Sequence, residues 1–491
     1  MPEPRALPTG DMDAESFRRE GRRLVDWIAD YFADPSRYPV LSRVRPGEVR
    51  ASLPTHPPER GESFEEIFRD FERLIVPGIT HWNHPGFFAY FAISGSGPGV
   101  LGELLAAALN AQGMLWRTSP SVTELEEVAL GWLRELMGLP ASFKGVIYDT
   151  ASVSSLHGLA TAREAAVPGV RSEGLPGRGD LPRYRVYCSV QAHSSIDKAV
   201  ILLGLGHDSL RKIPADEEFR MRPDLLRQAI AEDRAAGRVP MAVVATVGTT
   251  STTSVDPVPE IADICAAEGI WLHADCAYAG VAAIVPEYRH ILAGVDRADS
   301  LVVNPHKWLF TPFDLSAFYC RRMDLLRQAF SLTPEYLRTV EAGAVENLMD
   351  TGVQLGRRFR SLKLWMILRY FGAEGIRARL AEHIRLAQVF AGWVDADQDF
   401  ERLAPAPFSV VCFRARPRGR EWTEPELEAL NQRLLDAMNA TGEVFLSHTK
   451  LDGRFVLRLA VGNLRTEERH VRRAWEIAKE KAGEVVKGAG C

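Results

Sequence analysis

Short apolar runs alternate with helical patterns through the middle of this 491-residue chain, and this alternation restricts the folds it can adopt. The runs are rich in β-branched residues and lack polar alternation, which is typical of strands buried on both faces of a sheet. They span 145–148, 185–189, 241–247, 270–275, 300–304 and 316–320. Helical patterns fall between them at 156–166, 195–204, 223–236 and 257–268. The sequence therefore predicts an α/β fold with a mostly parallel central sheet covered by helices, in which ligands bind beyond the carboxyl ends of the strands.

Two regions flank this alternation. Residues 14–32 carry apolar side chains at helical spacing and lead into Pro-rich extended segments, which together are too thin to bury a core. Towards the other end, helical patterns at 354–369 and 374–394 precede strand-like runs at 408–413, 443–446 and 454–461 and helical runs at 424–439 and 467–485. We expect an N-terminal helical segment (1–85), a large domain (86–380) and a small α+β domain (381–491).

Composition excludes several functional classes. The chain carries 59 basic and 64 acidic residues, a net charge of −5, which gives no support to a nucleic-acid-binding or polybasic membrane surface. No long uncharged apolar run is present, so no membrane-spanning helix is predicted, and the polar N-terminus does not resemble a signal peptide. The six cysteines, at 188, 265, 276, 320, 412 and 491, form neither a CxxC pair nor a zinc-ligand pattern. We expect free thiols, no metal site and a reducing cytoplasm.

A lysine with unusual neighbours follows one predicted strand. Lys307 lies in Asn304-Pro-His-Lys-Trp308, where it contributes little to solubility or packing. Such a lysine can form a Schiff base with pyridoxal phosphate (PLP), although a surface lysine with its stem along apolar groups is the alternative. Asp275 ends the run 270–275, and a carboxylate there can keep the pyridine nitrogen of PLP protonated. Taken alone, Asp275 could equally be a helix N-cap, so the pairing with Lys307 carries the prediction.

Three further loops follow predicted strands. His193, in Gln-Ala-His-Ser-Ser, could lie on a cofactor ring, although a lone histidine is more often structural. The small residues after Tyr148 open a helix and could hold a phosphate with backbone N–H groups, although the same residues make ordinary caps. Thr250 follows the run 241–247 and could hydrogen-bond near the ring hydroxyl of PLP.

Together these motifs resemble those of the PLP-dependent group II decarboxylases, specifically the aromatic L-amino-acid decarboxylases. The resemblance extends from about residue 17 to residue 478 and rests on these stretches: THWNHPGFFAYF (80–91), TSPSVTELE (118–126), QAHSSIDKA (191–199), WLHADCAYAG (271–280), NPHKWLF (304–310) and LGRRFRSLKLW (355–365). It implies PLP fold type I and an obligate homodimer with active sites at the subunit interface. The N-terminal segment would wrap the partner subunit. The implied reaction converts an L-amino acid to its amine and CO2.

The resemblance also implies roles for individual residues. Lys307 would bind PLP covalently, Asp275 would face the pyridine nitrogen, and His193 would stack on the ring. The remaining cofactor contacts would come from Ala151, Ser152 and His306 on the phosphate side, Ala277 beneath the ring, and Thr250 and Asn304. The implied substrate-pocket positions are Trp82, Tyr90, Phe91, Ile93, Gln112, Met114 and Gly356. Tyr336, on a loop, would return a proton to the substrate carbon. In GRRFRSLK, we expect Arg357, Arg358 and Arg360 to form structural ion pairs.

Side-chain specificity is less constrained than the reaction. Ile93 replaces a threonine of animal members, Met114 replaces an aromatic residue, and Gly356 stands where plant relatives with glycine tend toward indole substrates. This favours tryptophan, ahead of phenylalanine, tyrosine and dihydroxyphenylalanine. Gln112 and Arg117 leave an acidic or polar amino acid open. An aromatic aldehyde synthase is a second alternative, although such relatives tend to lose the loop tyrosine or the stacking histidine. A non-enzymatic scaffold is a third, although it would be expected to lose Lys307 or Asp275.

Overall fold

A computed structural model describes residues 10–175, 177–332 and 345–488 of the chain. Its strands form a large central sheet and a smaller C-terminal one. The strands of the large sheet are β1 (Lys144–Tyr148), β2 (Tyr184–Ser189), β3 (Leu210–Ile213), β4 (Val239–Thr246), β5 (Trp271–Asp275), β6 (Ser300–Val303) and β7 (Ser316–Cys320). Those of the small sheet are β8 (Phe400–Arg402), β9 (Val410–Ala415), β10 (Ser447–Leu451) and β11 (Arg454–Ala460).

The large sheet has seven strands in the order β1-β7-β6-β5-β4-β2-β3. Strands β3, β2, β4, β5 and β6 are parallel, whereas β7 runs antiparallel to both of its neighbours. Successive residues of a strand alternate between two apolar clusters, as Val243 and Val244 do on β4. The sheet is therefore buried on both faces, and the predicted α/β fold with a mostly parallel sheet is confirmed.

Helices cover both faces of this sheet and extend the chain at each end. They are α1 (Ala14–Ala33), α2 (Glu48–Ser52), α3 (Phe64–Asp70), α4 (Gly97–Leu109), α5 (Pro120–Met137), α6 (Ala151–Ala166), α7 (Val170–Glu173), α8 (Ser195–Leu202), α9 (Pro223–Ala235), α10 (Val258–Glu268), α11 (Pro305–Trp308), α12 (Met323–Phe330), α13 (Ser361–Ala396), α14 (Glu424–Ala440) and α15 (Glu468–Gly488). The sequence predicts two helices where α13 lies. The helix is interrupted at Gly372, whose φ of +61° is left-handed and suits glycine.

The small sheet is antiparallel, with the order β10-β11-β9-β8, and packs with α14 and α15 around its own apolar cluster. The prediction of a strand at 443–446 is wrong, because the strand of the small sheet in this region is β10, which begins at Ser447. The apolar run lies instead against residues 86–88, where Phe445 N donates to Gly86 O (3.0 Å) and Phe88 N donates to Phe445 O (2.9 Å). A Cβ at Gly86 would collide with the carbonyl oxygen of Glu443, so this close pairing requires glycine.

The carboxyl ends of β4, β5 and β6 meet at one edge of the large sheet, and the small sheet borders this edge through contacts to residues 82–94 and 251. Polar residues that follow these strands are thereby collected in one place. Within the described ranges, no helix combines the length and the apolar character needed to cross a bilayer.

Candidate active site

Lys307 lies at the carboxyl edge of the sheet, in the single turn of α11 that follows β6. Its backbone N–H donates to Asn304 O (2.9 Å), which fixes the turn, and its Nζ lies 5.1 Å from the centre of the Phe91 ring. Burial lowers the pKa of Lys307; Asp275 opposes this effect and the charge of Arg458 adds to it. Lys307 is therefore buried and not a surface cation, and its lowered pKa favours the uncharged amine.

Asp275 ends β5, with only 7% of its surface exposed. The register of the sheet places it beside Thr246 of β4 and Val302 of β6, at the centre of the carboxyl edge. Its Oδ1 accepts a hydrogen bond from Ala277 N (3.1 Å), so the carboxylate is held by the turn that follows the strand. The charge of Asp275 acts on both Lys307 and His193, which places the three groups in one site.

His193 follows β2 and is oriented by the start of α8. Its Nδ1 accepts from Ser195 N (3.1 Å) and lies 2.8 Å from Ser195 Oγ. Because Nδ1 accepts a backbone hydrogen bond, the neutral ring carries its hydrogen on Nε2. Burial and the charge of Lys307 lower the pKa of His193, against the opposing effect of Asp275, and favour this neutral form.

The other predicted cofactor residues lie around these three. Ala151 and Ser152 open the 16-residue helix α6, whose first N–H groups have no partner within the helix and can bind an anion. His306 Nδ1 accepts from Leu315 N (3.0 Å), and burial together with Lys307 lowers the pKa of His306 to about 3. Ala277 is buried and its carbonyl accepts from Asn304 N (3.0 Å). Thr250 follows β4 and is exposed.

Two buried polar atoms test whether this site fits PLP. Thr246 Oγ1 and Asn304 Oδ1 are buried and have no hydrogen-bond partner among the described residues. Both lie at the carboxyl ends of strands that flank Asp275. Buried polar groups are normally satisfied, so these atoms indicate a polar ligand. An amine, a carboxylate, a helix N-terminus and unsatisfied polar atoms at one sheet edge are the groups that PLP requires, and the site fits it.

Aromatic rings form a wall beside Lys307. Phe91 stacks on Tyr278 (centroids 3.7 Å apart), and Tyr278 stacks on Trp308 (4.8 Å). Tyr90 is 55% exposed and adopts a left-handed φ of +50°, which is unusual for a bulky residue. Its ring is stacked near that of Trp82, with centroids 6.0 Å apart. Ile93 is half-buried in the same segment.

Arg458 of β11 is a site residue that sequence reasoning missed. It is buried, its Cζ lies 4.5 Å from the centre of the Phe91 ring, and it donates to the carbonyl oxygens of Tyr90 and Ser251. The available signal was an arginine within the apolar run Phe-Val-Leu-Arg-Leu-Ala, where a guanidinium is costly without a purpose.

Gln112, Met114 and Gly356 lie together in a second group. Gln112 Oε1 accepts from Arg357 N (2.8 Å), and Met114 O accepts from Met349 N (3.0 Å). A cavity of about 330 Å³ is lined by Gln112, Gly356, Tyr148 and Asp149 among others. Among the described residues, no hydrogen bond or ring contact joins this group to Lys307. Tyr336 lies outside the described residues.

The expected structural ion pairs of the GRRFRSLK segment are present. Arg357 pairs with buried Glu126 (2.6 Å), Arg358 with Glu103 (2.9 Å) and Arg360 with Asp314 (2.8 Å). The three arginines therefore anchor the start of α13 to neighbouring elements and do not form a basic patch.

A mostly parallel sheet with a buried lysine and a buried carboxylate at its carboxyl edge is typical of a PLP-dependent enzyme of fold type I. The family profile described as "Pyridoxal-dependent decarboxylase conserved domain" matches residues 46–416. This chain belongs to the pyridoxal-dependent decarboxylase family and is a PLP-dependent carboxy-lyase.

Comparisons with individual relatives cover nearly the whole chain. The chain is 41% identical over 485 residues to tryptophan decarboxylase 2 of Oryza sativa subsp. japonica, which covers 97% of this chain and 96% of the relative. It is 41% identical over 481 residues to phenylacetaldehyde synthase of Arabidopsis thaliana, covering 96% of each. The crystal structure of Oryza sativa TDC with PLP and tryptamine superposes with a TM-score of 0.93 at 39% identity, covering 97% of this chain and 99% of that one.

Proposed function

We propose that this decarboxylase converts an aromatic L-amino acid to its amine and CO2, with tryptophan preferred over phenylalanine, tyrosine and dihydroxyphenylalanine. The observation that carries the proposal is the aromatic wall beside Lys307, in which Phe91 belongs to a stack of three rings and Tyr90 is exposed. Such flat apolar surfaces favour aromatic rings. A relative named as a tryptophan decarboxylase and a structural neighbour containing tryptamine support the choice of substrate.

The glycine at position 356 favours a substrate with a large ring. A Cβ at this position would lie 3.3 Å from Gln112 Nε2, closer than most side-chain contacts, so any other residue would displace Gln112 or fill the adjoining space. An indole occupies more volume than a phenol, and the absence of a side chain at Gly356 suits the larger ring.

PLP, when bound, supplies a ring that accepts the electron pair released as the carboxylate departs. We propose that Lys307 holds the cofactor covalently and that Asp275 keeps its ring nitrogen protonated. The other proposed cofactor contacts are Ala151, Ser152 and His306 on the phosphate side, Ala277 beneath the ring, and Thr250 and Asn304. The apolar wall excludes water from the substrate carboxylate, and a charged carboxylate is less stable without water than the neutral CO2 it becomes.

His193 and Tyr336 are the proposed groups that handle the proton replacing the carboxylate. The neutral His193 ring holds a hydrogen on Nε2, because Ser195 N donates to Nδ1. A neutral imidazole in that tautomer can donate a hydrogen bond to a substrate carboxylate and can pass a proton to carbon. Tyr336 is proposed as the final donor by resemblance.

We propose that the protein acts as a homodimer. Helix α4 exposes a row of leucines, among them Leu104 (52% exposed) and Leu109 (65%), and a contiguous apolar face of this kind marks an interface. The group formed by Gln112, Met114 and Gly356 follows this helix or packs near it, so the interface would bring it to the Lys307 site of the second subunit. This arrangement accounts for the lack of a hydrogen bond or ring contact between the two groups among the described residues.

The proposed division of the chain is 1–85, 86–380 and 381–491. It is supported by the apolar cluster of the small sheet, whose buried members all follow residue 381 except Phe88. We also propose a reducing, cytoplasmic location. It is supported by the free, buried state of five cysteines: Cys188, Cys265, Cys276, Cys320 and Cys412.

Oxidative conversion to an aromatic aldehyde is the second candidate. It is favoured by one observation, the 41% identity to a phenylacetaldehyde synthase. The retention of His193, with its ring oriented by Ser195, argues for simple decarboxylation.

The decisive experiment is a product screen. Purified protein with PLP is incubated with each common L-amino acid, and CO2, amine, aldehyde, ammonia and peroxide are measured. We expect an aromatic amine without peroxide. Aldehyde with equimolar peroxide would establish the second candidate, and amine from an acidic amino acid alone would overturn the aromatic assignment. Lys307→Ala protein is the control for any non-enzymatic product.

A further inference from the structure

Arg458 is buried in the site, and no described residue supplies a counter-charge to it. It is 4% exposed, its Nε donates to Ser251 O (3.0 Å) and its Nη1 donates to Tyr90 O. Its Nη2 is buried without a hydrogen-bond partner, and no carboxylate of the described residues forms an ion pair with it. Arg454, on the same strand, is partly exposed and lies 4.0 Å from Asp452. Burial of an unpaired guanidinium is energetically unfavourable, so we expect the charge of Arg458 to have a function in the site.

Arg458 and Lys307 share one face of the Phe91 ring. The other face is covered by Tyr278, and a cation cannot enter a stack whose centroids are 3.7 Å apart. Arg458 Cζ lies 4.5 Å and Lys307 Nζ 5.1 Å from the ring centre, so both approach the remaining face. The ring cannot move away, because Tyr278 stacks in turn on Trp308, whose Nε1 donates to His383 (3.0 Å).

The charged and titratable groups that interact electrostatically with Lys307 come from four elements. They are Asp275 at the end of β5, His193 after β2, His306 in α11 and Arg458 in β11. Burial and Lys307 lower the pKa of both histidines, so both are neutral near pH 7. Burial has the largest effect on the pKa of Lys307, and two charges act beside it: the anion Asp275 raises this pKa and the cation Arg458 lowers it.

We propose that Arg458 is a positioning residue for Lys307: it fixes Phe91 and Tyr90 from the small sheet and, through its charge across the shared ring face, favours the uncharged amine of Lys307. The uncharged amine is the form with a free electron pair for nucleophilic attack. This inference rests on the proposed function of Lys307 as the covalent attachment point. It adds a reason for the small sheet to border the active site, because β11 supplies the charge.

The test compares holoenzyme variants by the pH dependence of the absorption of the bound cofactor, which reports the proton held at the Lys307 nitrogen. Arg458→Gln and Arg458→Met both remove the charge, and Arg458→Gln keeps a side-chain donor for Ser251 O. We expect both to raise the midpoint pH by about one unit. The alkaline shift should appear in the pH profile of kcat/KM as well. Arg454→Met, an arginine removed from the same strand, should leave the midpoint unchanged.

Three outcomes would overturn the proposal. The first is an unchanged midpoint in folded Arg458 variants. The second is a rise in KM alone, which would make Arg458 a substrate ligand. The third is failure of both neutral variants to fold, which would make it a structural residue. The absorption titration requires no amino acid, so it gives its result even if the product screen contradicts the proposed substrate.

Discussion

The amino ends of the central strands (the amino edge) and their carboxyl ends (the carboxyl edge) are both rich in charged residues. The two sets differ in whether those residues have partners of opposite charge. At the amino edge, a cavity of about 1070 Å³ is lined by arginines and other residues that precede or begin β2, β3 and β4. There the buried carboxylate of Asp233 accepts from Arg185 (3.1 Å), Arg211 (3.1 Å), Arg238 (2.9 Å) and Tyr187 Oη (3.1 Å). At the carboxyl edge, Arg458 has no carboxylate partner, and Thr246 Oγ1 and Asn304 Oδ1 have no hydrogen-bond partner among the described residues.

The charged groups around Asp233 stabilise one another, whereas the carboxyl edge has buried polar atoms that lack protein partners among the described residues and are available to a ligand. Burial opposes ionisation of Asp233, but hydrogen bonds from Arg238, Arg211 and Tyr187 outweigh it and lower the pKa of the carboxyl group. A network whose hydrogen bonds are satisfied in this way has few free donors or acceptors for a ligand. We therefore expect the Asp233 network to stabilise the fold, and we expect the carboxyl edge, with its unsatisfied polar atoms, to hold the proposed chemistry.

The largest effect is expected from Lys307, and Lys212, which lines the cavity of about 1070 Å³, is the comparison. Lys307→Ala should lower kcat by at least about 10³-fold, because it removes the amine proposed to bind the cofactor. Lys212→Ala should leave kcat within about twofold, because Lys212 forms a partly exposed ion pair with Asp197 (2.8 Å). Steady-state amine production measures both. A Lys307→Ala enzyme with a tenth of wild-type activity would contradict the assignment.

Asp275→Asn should lower kcat by about 10²- to 10³-fold, as expected for loss of a charge that stabilises the transition state. Its urea midpoint should stay near the wild-type value, because an amide oxygen can also accept from Ala277 N. Stopped assays and urea unfolding followed by circular dichroism measure the two quantities. Loss of stability without loss of kcat would reverse the roles of the two edges.

Asp233→Asn should have the opposite result. It leaves three guanidinium groups at the amino edge without their shared carboxylate, and should lower the free energy of unfolding by about 3–5 kcal/mol. The kcat of the folded fraction should be unchanged, since β2 separates this network from His193. Urea unfolding at pH 7.5, with activity measured well below the midpoint, tests this. A large fall in kcat would show that the amino edge acts on the reaction.

As pH falls, the histidines near the carboxyl edge and the Asp233 network should lose their contributions to stability at different pH values. Burial lowers the pKa of His273 to about 4 and that of His306, aided by Lys307, to about 3, so the unfolded chain binds their protons first. Stability should fall as pH drops below 6.5, by on the order of 2 kcal/mol per histidine at pH 4.5. The Asp233 network has a lowered pKa and should persist until pH falls below 3.8. Hydrogen exchange at pH 5 should therefore open β5 and α11 before β2 and β3, and simultaneous opening would contradict this order.

The smallest effects come from single hydroxyl groups. Thr246→Val removes a buried oxygen without a protein partner and should raise the stability of the cofactor-free protein by about 1 kcal/mol, while weakening PLP binding. Tyr187→Phe removes a hydrogen bond to Asp233 and should lower stability by about 1.5 kcal/mol without changing PLP binding. Urea unfolding and PLP titration measure these values. Destabilisation by Thr246→Val would mean that its hydroxyl is satisfied.

Most of the central sheet could be predicted from the sequence, because strands buried on both faces have a strong local signature. The strand Ser316–Cys320 was predicted with its observed bounds, whereas β3, an edge strand of four residues, gave too short a run to detect. The run 443–446 was predicted as a strand of the small sheet because its composition is apolar, but its partner lies at 86–88. Composition reveals that a segment is buried and does not reveal what it pairs with.

The site shows the same limit. Lys307, Asp275 and His193 could be proposed as site residues because each lies at the end of a strand or just after it and has a distinctive local sequence. Arg458 could not, since its role depends on a ring that is distant in sequence and on the way the small sheet borders the large one. The position of Gly356 relative to Lys307 likewise depends on the proposed partner subunit, which no local pattern encodes.

The contact between Arg458 and Tyr90 has a consequence for synthesis of the protein. The two residues are 368 positions apart, so the wall beside Lys307 is completed only when the end of the small sheet has been made. A growing chain that has already formed the central sheet still lacks β11, and contacts of such long sequence separation form late in folding. The ribosome-bound chain should therefore pass through a stage with a folded sheet and an unfinished site. We therefore expect the chain to bind PLP only after its synthesis is complete. This order would keep the reactive aldehyde group of PLP away from incompletely folded chains.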